Sequence, residues 1–336
     1  MKKSLIALAV LAASGAAMAQ SSVTLYGIAD VWVGSSKVQA NSGAGWVGDR
    51  QTVLEDGGVS NSRIGFKGTE DLGGGLKALF VLEQGFQLDT GNQAEANKAF
   101  SREASIGLAG GFGEVKLGKV WNAFDDISGA AASTFDSDLA PINTVFLSTA
   151  FADNTDNGVR YTSPSFGGFS GSASYAFGED KTAATSASES YALSVKYEAG
   201  PIYAGLAYAE FTEGPTDISA DAVRLNGAYD LGVAKLLATY GRVNEDAFDS
   251  KTNEYEIGVN VPLSGALSLS AGYAASKTKV GGATAIKTSG FGAAVAYSLS
   301  KRTTAYAGLN NTSSKDGADF KFAKSSTYAV GVKHTF

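Results

Sequence analysis

Apolar and polar residues alternate along most of this chain. In 22–34, Val23, Leu25, Ala29, Val31 and Val33 share one face, while Thr24, Tyr26, Asp30 and Trp32 share the other. Segment 169–177 sets Phe169, Ala173, Tyr175 and Phe177 against Ser170, Ser172 and Ser174. The pattern repeats in 191–198 (Tyr191, Leu193, Val195, Tyr197), 255–261 (Tyr255, Ile257, Val259, Val261) and 267–275 (Leu267, Leu269, Ala271, Tyr273). A period of two brings side chains to one face only in an extended chain, so each window predicts a strand with one apolar face.

Two features favour a membrane barrel over a soluble sandwich. The windows run to about ten residues, which suits a tilted strand crossing the hydrocarbon layer (~9–11 residues) better than a soluble strand (~5–6). Aromatic residues also recur at the ends of apolar faces, at Tyr175, Phe177, Tyr191, Tyr197, Tyr229, Tyr240 and Tyr297, where rings sit at a membrane–water interface. Short connections at Asp71–Gly75, Gly110–Gly113, Gly167–Gly168, Ala199–Gly200, Asp230–Gly232 and Ser264–Gly265 alternate with longer polar ones. The longer ones are 35–58, 87–99, 122–157, 179–189, 212–220, 244–253, 277–286 and 312–325. This rhythm predicts an all-β, antiparallel, up-and-down transmembrane barrel of about sixteen strands, with the long loops at one end. A barrel of ~16–18 strands encloses water. Backward from Phe336, residues His334, Val332, Val330 and Tyr328 form one lipid-facing strand face ending on an aromatic carboxyl terminus.

Composition narrows the chemistry. The 336 residues include no Cys and a single His, His334. Disulfides, thiolate or multi-histidine metal sites and cysteine nucleophiles are therefore excluded, and no cofactor is expected. A formal charge of −6 argues against a nucleic-acid partner, whose phosphates need a basic surface. Met1, Lys2 and Lys3, the apolar run Leu5–Ala13 and the small-residue site Ala17-Met18-Ala19 read as a cleaved signal peptide over 1–19, with the barrel at 20–336. The apolar run falls short of the ~20 residues a membrane helix needs. Cleavage would take two lysines with it and leave 25 Lys and Arg against 33 Asp and Glu, a formal −8.

Several stretches resemble one known family: SSVTLYGIAD (Ser21–Asp30), SRIGFKGTEDLGGGLKALFVLEQGF (Ser62–Phe86), IGLAGGFGEVKLGK (Ile106–Lys119), NGVRYTSPSFGGFSGSASY (Asn157–Tyr175) and YAVGVKHTF (Tyr328–Phe336). The chain resembles the Gram-negative general porins of the Neisseria, Bordetella and Burkholderia type over essentially its whole mature length. The resemblance implies a homotrimer of sixteen-stranded outer-membrane barrels with short turns toward the periplasm. It implies a third long loop folded inward to narrow each pore, and contact with outer-membrane lipids including lipopolysaccharide. Phe336, with Tyr328 on the same face, would be the signal read by the barrel assembly machinery.

Alternation also selects residues that face the lumen. Ile64 and Phe66 face lipid, so Arg63 and Lys67 face inward; Val159 and Tyr161 likewise turn Arg160 inward. Opposite Leu76, Ala78, Phe80 and Leu82, the inward residues include Lys77 and Glu83. Lys119 is aimed at lipid by strict alternation, and a bulge at Gly118 would bring it inward, where the family usually has an Arg. Arg63, Lys67, Lys77, Lys119 and Arg160 are thus candidates for a basic pore wall, with Glu83 as a lumen acid. Loop 122–157 carries Asp125, Asp126, Asp136 and Asp138. Folded inward, it would set these carboxylates against the basic wall and create a transverse field in a poorly screened space. The bland alternative for each charge is simple solvation in the lumen or on a loop.

Gly113–Lys119 imitates a phosphate loop, but Val120 replaces the required Ser or Thr and the segment alternates as a strand. The sequence therefore predicts an outer-membrane channel for ions and small hydrophilic solutes. A substrate-specific anion or carboxylate channel on the same barrel is the alternative. An enzyme or adhesin fits poorly, because the single His lies on the lipid face and no passenger domain is visible.

Overall fold

The computed structural model describes residues 22–336, so the expected signal peptide at 1–19 lies outside the described residues. The strands are β1 (Ser22–Asn41), β2 (in three segments, Trp46–Val47, Arg50–Asp56 and Arg63–Gly73), β3 (Leu76–Gly85), β4 (Glu103–Gly110), β5 (Gly113–Trp121), β6 (Asn154–Thr162), β7 (Phe169–Phe177) and β8 (Glu189–Ala199). They continue with β9 (Ile202–Glu213), β10 (Ile218–Asp230), β11 (Lys235–Glu245), β12 (Ser250–Pro262), β13 (Leu267–Val280), β14 (Ala283–Ser298), β15 (Thr303–Asp316) and β16 (Lys321–Thr335). The three segments of β2 lie end to end along one edge of β1. The other edge of β1 pairs with β16 from Ile28↔Thr335 to Ala40↔Ala323, which closes the sheet. The eighteen hydrogen-bonded segments therefore make a closed antiparallel barrel of sixteen strands.

The two faces divide as the alternation predicts. Val23, Ile257 and Val330 are more than 60% exposed, while in-phase polar residues such as Asp30, Glu254 and Ser270 are fully buried. An apolar exterior over a polar interior is the reverse of a soluble core and is stable only against lipid. The chain end completes the wall: Gly27 and Phe336 exchange backbone hydrogen bonds of 3.1 Å in both directions.

Five loops are shorter than the polar pattern suggests. Strands run through much of 35–58, 212–220, 244–253, 277–286 and 312–325, leaving only 42–45, 214–217, 246–249, 281–282 and 317–320 as connections. Beyond the membrane both faces meet water, so alternation disappears while the backbone ladder continues. At 281–282, Gly281 and Gly282 adopt φ of 55° and 82°, the left-handed pair that a two-residue hairpin needs. A further short turn at 299–302 has no Gly or Pro to announce it.

The loop between β5 and β6 spans 122–153, since β6 already begins at Asn154. It contains one-turn elements at Ala123–Ile127, Thr134–Asp136 and Leu147–Phe151 and a short helix at Pro141–Val145. It packs on the polar face of the sheet, where small residues make room. Phe124 and Ile127 sit on Ala192, Ala207, Ala209 and Ala222, Ile142 and Phe146 on Ala274, and Leu139 on Ala294 and Ala329. A Cβ at Gly308 would stand 2.7 Å from Leu139 Cδ1, and one at Gly292 2.8 Å from Pro141 Cδ; only glycine permits that approach.

Candidate functional site

The loop is fastened to the wall by carboxylates. Glu254 on β12 accepts hydrogen bonds from the Leu147 and Ser148 amides and, at 2.6 Å, from Ser148 Oγ. Glu256, two residues on, accepts from the Ser133 amide at 3.2 Å and from Ser133 Oγ at 2.6 Å. Between these anchors lies Arg224 of β10, 1% exposed. It donates to Ser128 Oγ at 3.0 Å and Ser148 Oγ at 2.8 Å, and its guanidinium lies 5.1 Å from the Phe124 ring centroid and 5.9 Å from that of Phe146. Charge-assisted bonds of this kind are the strong ones, and each holds loop backbone that water would otherwise solvate.

Opposite the docked loop stands a cationic cluster. Glu83 of β3 accepts from Arg102 Nε at 2.7 Å and Tyr26 OH at 2.8 Å, and lies 3.9 Å from Arg63 Nε. Arg102 also stacks over Trp121 at 5.1 Å. Two guanidiniums on one carboxylate leave one positive charge in excess. Arg63 and Arg102 line a cavity of about 600 Å³ together with Asp125, Asp136 and Asp138 of the loop, and Arg224, Glu95 and Asp153 also border it. Burial pushes the Asp125 carboxyl up to about 6, with Asp126 and Asp136 adding to the effect. Asp138 is pushed up to about 7 by burial, reinforced by Asp30, Glu55 and Asp56. Burial raises Asp136 as well.

The remaining sequence candidates sit elsewhere. Arg160 is held by Asp126 and donates to the backbone oxygens of Trp121 at 2.9 Å and Asn122 at 3.1 Å; both members of that pair fix the root of the loop and neither lines the cavity. Gly118 does adopt an irregular conformation, φ 122°, and the β5–β6 pairing slips there. Lys119 nevertheless ends in an ion pair with Asp156 at 2.8 Å, shared with Lys98 at 3.1 Å, and is absent from the cavity lining. Lys67 lies over the Tyr26 ring at 5.0 Å, four residues or ~13 Å along β2 from Arg63 at ~3.3 Å per residue. Lys77 is opposite Asp71, beside the short turn. Both face inward yet belong to a different level, because alternation fixes a residue's face and not its height. Arg102 and Arg224 escaped the sequence reading. Arg224 was accessible to it, since Ala222, Arg224 and Asn226 alternate with Val223 and Leu225; Arg102 precedes its strand and carries no periodic signal.

A sequence model of the Gram-negative porin family matches residues 5–317. The chain belongs to that family. This porin is 38% identical over 357 aligned residues to "Outer membrane porin protein 32" of Delftia acidovorans, covering 99% of this chain and 95% of the relative. It is 33% identical to "Major outer membrane protein P.IB" of Neisseria lactamica over the full length of both. Among solved structures, an anion-selective porin from Comamonas acidovorans superposes with a TM-score of 0.73 at 28% identity, over 94% of this chain and 100% of that one. The protein is thus an outer-membrane porin whose barrel encloses a water-filled path for passive diffusion of ions and small hydrophilic solutes.

Proposed function

We propose that the loop at 122–153 sets the narrow point of this pore, with Arg63 and Arg102 on one side and Asp125, Asp136 and Asp138 on the other. The observation that carries the reading is the cavity that these opposite charges line together. Across such a gap the field is transverse, so hydrated ions separate by sign and dipolar solutes align, while long apolar solutes are excluded with the ordered water they would displace. Glu83 holds the two arginines in place. Proteins of this family assemble in threes, and we read this chain as a homotrimer. Its partners are the barrel assembly machinery acting on Phe336 and Tyr328, lipopolysaccharide around the barrel, and the permeating solutes; it carries out diffusion and not catalysis. Export by a signal peptide at 1–19 belongs to the same reading. A preference for anions is the second reading, favoured by the excess positive charge of the Arg63–Glu83–Arg102 cluster and by the resemblance to the anion-selective Comamonas porin.

Planar-bilayer recording tests both. The expected result is ohmic steps arriving in groups of three, proportional to salt, with the sign of the reversal potential in a salt gradient deciding selectivity. Folded protein that gives no conductance would overturn the assignment of an open lumen.

A further inference from the structure

The docked loop leaves part of the inner wall uncovered, and that part is apolar. A cavity of about 280 Å³ is bounded by the loop root and strands β6–β10. Ala176, Ala192 and Ala209 line it on the sheet side, together with two aromatic rings, Phe151 of the loop and Phe211 of β9. Phe211 is in phase with Ala207 and Ala209, which are buried beneath the loop. Its ring therefore points into the lumen, yet 47% of the residue is exposed. Lipid accounts for the exposed aromatics of the outer face and cannot reach this one. An aromatic ring left in water forgoes the burial that would otherwise favour it, so folding alone gives no reason for Phe211.

Size and charge indicate what the cavity takes. A dry apolar cavity of ~150 Å³ holds benzene, so about 280 Å³ admits one six-membered ring with a short side chain. Phe151 is backed by Phe124, the ring centroids 6.3 Å apart and the planes tilted by 50°, which gives an incoming ring a fixed surface to pair with. No Lys or Arg lines the cavity; its charged residues are Asp153 and Glu210. The Glu210 carboxylate is already engaged, accepting from Tyr191 OH at 2.7 Å and from Tyr208 OH at 2.5 Å. Asp153 is exposed, and among the described residues it belongs to no ion pair. An unpaired carboxylate at the edge of an apolar cavity attracts an ammonium carried on a ring and repels a ring that carries a carboxylate.

We propose that this cavity is a binding site for small monocyclic aromatic amines, with the ring against Phe151 and Phe211 and the ammonium on Asp153. Asp153 also borders the cavity lined by Arg63 and Arg102, so a bound amine stands at the entrance to the narrow point proposed above. Phe211 lies two residues from the end of β9, at the long-loop end of the barrel, which faces outward. A solute arriving from outside meets this cavity before it meets the arginines. The proposal rests on the porin reading for that direction of approach, and deepens it by naming a solute class.

The test titrates folded protein in detergent with 4-fluorophenethylamine and follows the fluorine resonance by NMR. Two comparison ligands separate the contributions: 4-fluorophenylacetate keeps the ring and reverses the charge, and 3-fluoropropylamine keeps the charge and lacks the ring. Wild type is expected to bind the aromatic amine at least about fivefold more tightly than either. Phe211→Ser removes one aromatic wall and should weaken the amine about tenfold. Asp153→Asn should weaken it roughly threefold, the scale of an exposed ion pair, and narrow its advantage over the acid. Ala176→Leu fills the cavity from the β7 side with an apolar group and should weaken the amine as much as Phe211→Ser does; if Phe211→Ser does not fold, Ala176→Leu carries the test. Equal binding of the aromatic amine and the aromatic acid by wild type overturns the proposal. So does binding unchanged in Phe211→Ser or in Ala176→Leu, which would place the ring in detergent or elsewhere in the lumen. An Asp153→Asn variant that prefers the amine over the acid as strongly as wild type would overturn the place given to the ammonium. Channel formation by the same samples in planar bilayers reports on the porin reading separately: its absence in every sample would count against that reading and leave the binding result standing.

Discussion

Neutralising Arg63 and Arg102 is the sharpest test of the pore wall. Both guanidiniums sit on Glu83, so the cluster carries a net single positive charge; one Arg→Gln change brings it to zero and two bring it to minus one. For an ion passing ~6 Å away in water, one charge contributes ~0.7 kcal/mol, reduced to ~0.4 kcal/mol at 0.1 M salt where the screening length is ~10 Å. The effect has opposite sign for cation and anion, so each substitution should move their permeability ratio toward cations by ~0.8 kcal/mol, about fourfold. In a tenfold salt gradient that displaces the reversal potential by on the order of 30 mV, taking ~59 mV per decade for a univalent ion. Arg160→Gln serves as the comparison. It lies outside the cavity lining and leaves Asp126 unpaired at the loop root, so its shift should be smaller than that of Arg102→Gln. An unchanged potential in the double variant, or a larger shift from Arg160 than from Arg102, would refute this placement of the field.

Other outcomes follow from the same contacts. Asp125 and Asp138, with pKa values near 6 and 7, lose their charge as pH falls from 8 to 5. The pore should turn progressively more anion-preferring over that interval, and a flat reversal potential would contradict it. Because both values lie above the ordinary carboxylate range (~3.9), protonation also favours the docked loop; docking is tightest below that ordinary value and weakens as pH rises through 6 and 7. Glu254→Ala removes the acceptor of the Leu147 and Ser148 amides and of Ser148 Oγ, and buried donors left without a partner cost about 1–3 kcal/mol each. Voltage-driven closure should then begin at lower potentials, and an unchanged closing voltage would count against the anchor. Gly308→Val should push Leu139 off the wall, moving the loop toward the axis and lowering single-channel conductance, with wild-type conductance as the refuting result. Phe336→Ser removes the ring that packs over Gly27 and should reduce the fraction of heat-modifiable folded barrel recovered from membranes.

The barrel was legible because its signal is local and repeated. Alternation in windows such as 22–34 and 255–261 sorted Val23 and Ile257 outward and Asp30 and Glu256 inward without knowledge of any partner strand. It failed where the physical cause of alternation ends. Lys277 and Lys279 lie above the membrane, where lipid no longer demands an apolar outer face, and so a continuous strand read as a loop. The turn at 299–302 failed for a related reason, since its chemistry lies in the Ser300 hydroxyl capping the Arg302 and Thr303 amides and not in a glycine.

The pore site posed a different problem, because function there depends on which charges remain unpaired. Arg63 and Arg160 are indistinguishable by face, yet Arg63 shares its carboxylate with Arg102 and borders open space. Arg160 faces Asp126 alone and closes the loop root. Asp125 and Asp126 are adjacent in sequence and diverge in the same way, one lining the cavity and the other consumed in an ion pair. Such distinctions arise from contacts between residues far apart in the chain, such as Glu83 with Arg102 or Ser133 with Glu256. They appear only once the loop has docked. The small residues at Ala192, Ala207, Ala274 and Gly308 are the trace of that docking left in the sequence. An inner face made of alanine and glycine is one that something must cover, and in the pore proposed above the covering element determines what passes.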